Sequence, residues 1–255
     1  PGGEVQLSRI YLVRHGQAGT RDDYDSLSKR GREQSRFLGQ HLAAQSIAFA
    51  AAYTGAMLRQ QQTAEELSRG YTQAGGHFPV ITVDEDWNEF DLSGVYRELA
   101  PLLSAADPDF RREYAALCEQ ARQNAASADA PVHRQWLPCD TKLVDAWIAG
   151  RFPYPGESWE QFVRRIAGCR RKLELVGSQD NIIIFTSAVP VAVWAGLSLD
   201  ICDQRVMRLA AVLYNTSYTI LRLQQEQLRL FAFNAIPHLL TPDLRTHREE
   251  AHFPE

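Results

Sequence analysis

Two unbroken apolar runs stand out along the chain: Ile10-Tyr11-Leu12-Val13 near its start, and Ile182-Ile183-Ile184-Phe185 after Asn181. Short apolar runs without polar alternation read as strands buried on both faces, the pattern of a parallel sheet. The first run leads directly into Arg14-His15-Gly16, and the second ends at Thr186 before Ser187. Between them Leu27, Gly31, Ser35, Leu38 and Leu42 recur at helical spacing, with Ser28 placed to cap a helix over about Lys29–Ser46. The stretch Phe49–Thr54, closed by Gly55, predicts a strand; Met57–Arg69 predicts a helix with Met57, Ala64 and Leu67 on one side; Pro79–Val83 predicts a third strand. This alternation implies parallel pairing through right-handed crossovers.

From Asp84 to Pro155 the rhythm breaks. Helical patches at Val95–Leu103, Asp109–Asn124 and Thr141–Ile148 are interspersed with Pro101, Pro108, Pro131, Pro138, Pro153 and Pro155, so they are expected to be short and separate. The segment reads as a helical lid over the carboxyl edge of the sheet. After it, Ser158-Trp159-Glu160-Gln161 matches a capping box, and Trp159, Phe162, Val163, Ile166, Cys169, Leu173 and Val176 continue an amphipathic helix. Val191–Leu197 predicts a short apolar helix, and Ser217–Leu223 with Leu228–Phe233 a terminal hairpin. The whole is expected to be one α/β domain over residues 1–255. Its architecture is a three-layer α/β/α sandwich with a mostly parallel sheet, a helical lid insertion at about 84–155 and a polar, mobile or surface-draped tail at 241–255.

Composition narrows the chemistry. A net charge of −4 over 255 residues carries no global basic signature for nucleic acid or a membrane surface, so neither is expected as a partner. The basic run Arg164, Arg165, Arg170, Arg171, Lys172 reads as the solvated side of its helix. Cys118, Cys139, Cys169 and Cys202 are scattered without C-x-x-C spacing, and the histidines show no ligand spacing; neither a metal nor a cofactor is expected. Without a signal-like or bilayer-length apolar stretch, the expected location is cytoplasmic.

Arg14 is a permanent cation whose planar donor fork suits phosphate oxygens, and His15 can serve as a neutral nucleophile near pH 7. Gly16 permits a sharp turn or the close approach of a ligand. Together with five further segments, these residues resemble the histidine phosphatase superfamily, the phosphoglycerate-mutase-like fold. The segments are Leu27-Ser28-Lys29-Arg30-Gly31, Tyr53-Thr54-Gly55-Ala56-Met57-Leu58-Arg59-Gln60-Gln61-Gln62-Thr63-Ala64-Glu65, Asn88-Glu89-Phe90 with Pro155-Gly156-Glu157-Ser158, and Asn215-Thr216-Ser217. The resemblance covers roughly Arg9–Gly70 and Gly156–Leu239.

The resemblance implies a phosphatase in which His15 attacks phosphorus and forms a phosphohistidine. Arg14 and Arg59 would clamp the phosphate, with Gly16 and Gln17 also at the phosphate and Thr20 a further contact. Glu89 would be the acid and base. Such catalysis is mostly positioning and charge neutralisation. The family places a second histidine after the strand Asn181–Thr186; here Ser187 and Ala188 stand there, taken as phosphate contacts, since a serine hydroxyl can still donate one hydrogen bond. The Trp-Glu-Gly pattern of the family is also replaced, by Asp91-Leu92-Ser93-Gly94-Val95. The alternative is therefore a catalytically impaired homologue that binds phosphorylated ligands in a regulatory role. The expected substrate is a small phosphorylated metabolite or a phosphoprotein. Trp87, Tyr96, Arg111, Arg112, Tyr114, Arg134, Trp136 and Arg151 either line a specificity pocket or face water. His238, near the terminal hairpin, either approaches the site or, the preferred reading, is a surface histidine, and the oligomeric state is unassigned.

Overall fold

A computed structural model of the chain describes residues 9–21, 23–125, 127, 129–173, 180–224, 227–247 and 249–250. In chain order the elements are β1 (Arg9–Arg14), α1 (Lys29–Ala44), β2 (Ala51–Thr54), α2 (Leu58–Gln73), β3 (Ile81–Val83), α3 (Leu92–Ala106), α4 (Pro108–Gln123) and α5 (Pro131–Arg134). They continue with β4 (Gln135–Trp136), α6 (Pro138–Ile148), α7 (Trp159–Gly168), α8 (Arg170–Leu173), β5 (Asn181–Thr186), α9 (Ala188–Ser198), α10 (Asp203–Ala211), β6 (Tyr218–Gln224), β7 (Gln227–Ala235) and β8 (Glu249–Glu250). Contacts divide the chain into two compact units. One comprises Pro1–Ala18, Asp25–Glu89 and Ile166–His247; the other comprises Gly19–Tyr24, Phe90–Arg165 and Arg248–Glu255.

The first unit is built on a six-stranded sheet of order β3-β2-β5-β1-β6-β7. β1 pairs in parallel with β5, placing Arg14 opposite Thr186, and β2 pairs in parallel with β5 and β3. β6 lies antiparallel to β1 and forms a hairpin with β7. The two apolar runs are thus adjacent central strands, as their lack of alternation predicts. Tyr11, Val13, Ala52, Ile183 and Phe185 pack with Leu38, Leu42, Ala64, Leu67 and Tyr71 of α1 and α2. The alternate residues Ile10, Leu12, Ile182 and Ile184 are buried on the opposite face. The apolar α9, buried from Val189 to Gly196, packs against β1, β6 and β7. The sheet is therefore mixed and flanked by helices, an α/β fold.

Two backbone approaches fix α1. A Cβ on Gly16 would lie 2.5 Å from the Gly31 carbonyl oxygen, and a Cβ on Gly31 would overlap the Gln17 carbonyl. At the crossing with α2, Gly39 and Gly70 likewise leave no room for a side chain against the Leu67 and Arg36 backbones. Buried Glu66 of α2 meets Arg32 and Arg36 of α1 and Arg69 of its own helix. Burial works to raise its pKa, but Arg36, Arg69 and Arg32 outweigh it and hold the carboxyl below the usual range.

The second unit corrects one expectation. Its helical patches are not short: Val95–Leu103 is part of α3, which runs for 15 residues with Pro101 inside it. A proline removes one N–H, and the buried face of Val95, Leu99, Ala100 and Leu103 carries the helix across the lost bond. Pro108, Pro131 and Pro138 do begin helices, where the missing N–H costs nothing. Ser158 and Gln161 form the reciprocal capping pair, at 2.8 and 3.2 Å. The following helix breaks after Gly168 and resumes as the short α8; Val176 lies outside the described residues. The loop Gly19–Tyr24 is anchored within this unit by Arg21, whose guanidinium grips buried Asp140 at 2.6 and 3.0 Å and also donates to the Gln135 carbonyl. Burial opposes that charge, but Asp140 overrides it and holds the Arg21 pKa above its ordinary value.

The tail does not simply trail away. The Leu244 carbonyl and Thr246 Oγ1 accept from Gln34 Nε2 at 2.6 and 2.8 Å, and Asn215 N donates to the Thr246 carbonyl at 2.7 Å. No pattern of apolar residues encodes such a contact. Among the described residues no helix is long and apolar enough to cross a membrane.

Gly31→Ala is expected to destabilise the protein by about 1–3 kcal/mol, the usual cost of overpacking, because the methyl meets backbone. Gly168→Ala, where a Cβ meets nothing within 4 Å, should not. Chemical unfolding of the two variants checks this; equal midpoints would refute it.

Candidate active site

The carboxyl ends of β1, β2 and β5 converge, and the sequence-selected residues of the first unit collect there. β1 delivers Arg14 and His15, both buried. The His15 amide donates to the Thr186 carbonyl at 2.9 Å, carrying the strand register past its last pair. His15 Nδ1 lies 2.8 Å from the carbonyl oxygen of Gly16. A carbonyl only accepts, so Nδ1 carries the hydrogen and Nε2 keeps the lone pair. The lone pair of His15 is thereby left on Nε2. Arg14 Nη1 donates to the Leu213 carbonyl, which orients the guanidinium.

Arg59 lies in the first turn of α2, and its Nη1 holds Asp25 Oδ1 at 2.8 Å. That turn is tied to the β1 loop: Gly16 N donates to Thr63 Oγ1 at 3.0 Å, and the same hydroxyl donates to the Arg59 carbonyl at 2.7 Å. Thr63 thus couples the two arginine-bearing segments. Gln17 is held by Gln34, which accepts from its amide at 2.9 Å, and by Ser28, whose hydroxyl donates to Gln17 Oε1 at 2.8 Å while capping α1 at Gly31 N. The predicted helix cap therefore also orients a candidate phosphate contact. Thr20 belongs to the second unit, where its hydroxyl accepts from Asp23 N.

Glu89 follows the 3₁₀ turn Glu85–Trp87, and its Oε2 accepts from Val189 N in the first turn of α9 at 3.1 Å. Ser187, one residue past β5, is 1 % exposed and caps nothing; its Oγ accepts from Gln60 Nε2 at 2.9 Å. Ala188 begins α9 beside it. His15, Arg14, Gly16, Gln17, Arg59, Glu89, Ser187 and Ala188 all belong to the one unit.

Among the candidate specificity residues, Trp87 is core: it packs on Trp194 at 5.3 Å, and its carbonyl accepts from Thr186 Oγ1. Within the second unit the Tyr96 hydroxyl donates to Asp140, and the Trp136 indole to Thr141. Arg134 donates to the Gly19 carbonyl, and Tyr114 stacks between Tyr96 and Phe110. Arg111, Arg112 and Arg151 are exposed. No group of three or more His, Cys, Asp or Glu suited to a metal ion is found among the described residues.

His238 is buried, not on the surface. Thr216 occupies the left-handed region at φ 57°, which is strained for a β-branched residue. Its amide donates to the Arg14 and His15 carbonyls at 3.0 and 3.3 Å, and its hydroxyl donates to the Asn215 carbonyl. That leaves the hydroxyl to accept from His238 Nε2 at 2.9 Å. Asn215 Nδ2 completes the cradle on the His15 carbonyl at 3.2 Å. Gln60, Thr63, Gln34 and His238 were not selected from the sequence, because each acts through a partner far away in the chain and leaves no periodic trace. The signals available were the Asn215-Thr216-Ser217 segment and, for Gln60 and Thr63, the Tyr53–Glu65 segment that contains them.

Residues 10–134 and 130–236 match the profile of the histidine phosphatase superfamily (branch 1). The chain belongs to this superfamily. It is 25 % identical over 161 residues to the Caenorhabditis elegans serine/threonine-protein phosphatase Pgam5, mitochondrial, covering 59 % of this chain and 52 % of that protein, so it spans about half the length of this relative. Its fold is that of Bacillus stearothermophilus YhfR (TM-score 0.59, 18 % identity, 91 % of this chain and 98 % of that one). It also matches an Entamoeba histolytica phosphoserine phosphatase mutant solved with phosphoserine (TM-score 0.57, 16 % identity, 92 % and 100 %). These likenesses show the fold alone.

Burial, and then the neighbouring His41, push the His238 pKa down to about 3. An unfolded histidine titrates near about 6.5, so on acidification the unfolded chain takes up this proton first. The stability contributed is fully present above about pH 6.5 and is lost as pH falls toward 3. His238→Gln, which retains a donor for Thr216 without titrating, should show a shallower loss of urea midpoint over that window than the parent. Identical slopes would remove His238 from the account.

Proposed function

We propose that this chain is a metal-independent phosphatase that hydrolyses phosphate monoesters through a phosphohistidine on His15. The observation that supports this most is the Nδ1–H···O=C bond to Gly16, which leaves the lone pair on Nε2 at a strand end where Arg14 emerges and to which Arg59 is tied through Thr63. In the first half-reaction Nε2 attacks phosphorus, the bond to the ester oxygen breaks, and Glu89 gives that oxygen a proton. In the second, Glu89 takes a proton from water, whose oxygen displaces the imidazole and releases inorganic phosphate. Arg14 and Arg59 neutralise the phosphoryl oxygens in both steps, the larger part of such catalysis. Glu89 is held for its role by Val189 N. The substrate classes we propose are a phosphorylated small metabolite and a phosphoserine or phosphothreonine protein, the latter favoured by the likeness to Pgam5.

One observation favours a second reading. Ser187 supplies a neutral hydroxyl where the superfamily pattern has a histidine, and a site with one weaker donor can bind phosphate esters while turning them over slowly.

Hydrolysis of p-nitrophenyl phosphate in EDTA, followed by a panel of phosphopeptides and phosphorylated metabolites, separates the two. The phosphatase reading expects turnover that falls by at least about 10³-fold in His15→Ala, and an acid-labile phosphoryl group on His15 after rapid quenching. Binding of these esters without His15-dependent turnover would establish the regulatory reading instead.

A further inference from the structure

Ser187 does not stand alone at the position of the missing histidine. Gln60, next to Arg59 in the first turn of α2, is fully buried and places Nε2 2.9 Å from Ser187 Oγ and 3.4 Å from the Trp87 carbonyl oxygen. The Trp87 carbonyl can only accept, so the amide edge facing it is the NH₂ edge, and Gln60 is the donor to Ser187. A hydroxyl that accepts from Gln60 still has its own hydrogen to give. It does not cap α9, and no described residue accepts it. Its neighbours along the chain are tied to the candidate active site: the Thr186 carbonyl accepts from His15 N, and Val189 N donates to Glu89.

The pair also explains how the chain accommodates the smaller residue. An imidazole is far larger than a hydroxymethyl group, and the volume next to Ser187 is occupied by the Gln60 amide. A histidine at position 187 would have to displace an atom that now lies at hydrogen-bond distance from Oγ.

We propose that Gln60 and Ser187 together replace the second histidine: Ser187 donates its hydroxyl hydrogen to a phosphoryl oxygen. Gln60 is the positioning residue that, by donating to Oγ, fixes where that hydrogen points. The inference rests on the reading above only in that the site receives a phosphoryl group; it does not require rapid turnover.

The test is orthovanadate binding by calorimetry, together with p-nitrophenyl phosphate kinetics, on the full chain. Ser187→Ala should weaken orthovanadate about 10-fold and Gln60→Met about 3-fold, the range for one neutral hydrogen bond. Gln60→Met/Ser187→Ala should bind no more weakly than Ser187→Ala alone, because Gln60 acts through Ser187. In kinetics Gln60→Met should raise KM and lower kcat together, and Ser187→Thr, which keeps the hydroxyl, should hold orthovanadate affinity within about 3-fold of the parent. Unchanged affinity in Ser187→Ala, or fully additive losses in the double variant, would overturn the proposal. Steric exchange gives a check that does not depend on truncation. Ser187→His alone should lower Tm and orthovanadate affinity, and adding Gln60→Ala should restore both; if the second change restores neither, the shared-volume argument is wrong. His15→Ala, run alongside, judges the phosphatase reading by its turnover, while the orthovanadate affinities judge the Gln60–Ser187 pair whatever that turnover is.

Discussion

The approach of the β1 loop to the start of α1 is the constraint on which the rest of the first unit depends. Gly16 and Gly31 meet backbone to backbone, and neither position has room for a methyl group. With this contact in place, the Gly16 carbonyl lies against Nδ1 of the histidine that precedes it. It also sets Gln17 beside Ser28 and Gln34, so that a helix cap, a buried amide and a candidate phosphate contact share one set of hydrogen bonds. The tautomer of the candidate nucleophile is therefore a consequence of how tightly two backbones pack. A rigid framework of this kind suits a reaction whose barrier is lowered mainly by placing charges before the substrate arrives.

A second backbone feature works from the other side. Thr216 is held in a left-handed conformation that a threonine adopts only under compulsion, and the compulsion comes from Asn215, His238 and the carbonyls of Arg14 and His15. Strain of this sort costs about 1–3 kcal/mol and persists where its surroundings over-determine it. The tail reinforces it through Thr246, whose hydroxyl donates to Asn215 Oδ1 at 2.9 Å. The last described stretch of the first unit is thus two hydrogen bonds from the His15 carbonyl.

The parts that were legible in the sequence are those encoded by burial and by local chemistry. The two apolar runs became β1 and β5 because a strand covered on both faces has no polar alternation to hide it. Ser28 and the Ser158–Gln161 pair were readable because a helix cap acts within three residues. Arg14 and His15 were selected by their chemistry at a strand end and Arg59 and Glu89 by resemblance, and the fold collects them at one edge. The second unit's helical patches proved longer than expected, because the cost of Pro101 was weighed without the buried face of α3 that carries the helix across it. Gln60, Thr63 and His238 went unselected for a different reason: their partners are Ser187, Gly16 and Thr216, and no local pattern announces a bond between distant segments.

The same distinction bears on how a superfamily site survives the loss of a defining residue. Seen along the chain, Ser187 is a vacancy in a motif. In the fold it is one half of a buried pair whose other half lies on α2, a helix that the Gly16–Thr63 bond already ties to the nucleophile's loop. Histidine brings a donor that can carry charge; the Gln60–Ser187 pair brings a donor that cannot. On the proposed reading, the positive charge facing a phosphoryl group then comes from the guanidinium groups of Arg14 and Arg59. On that reading the site trades the strength of one charged contact for a neutral donor that a buried partner on α2 holds in place.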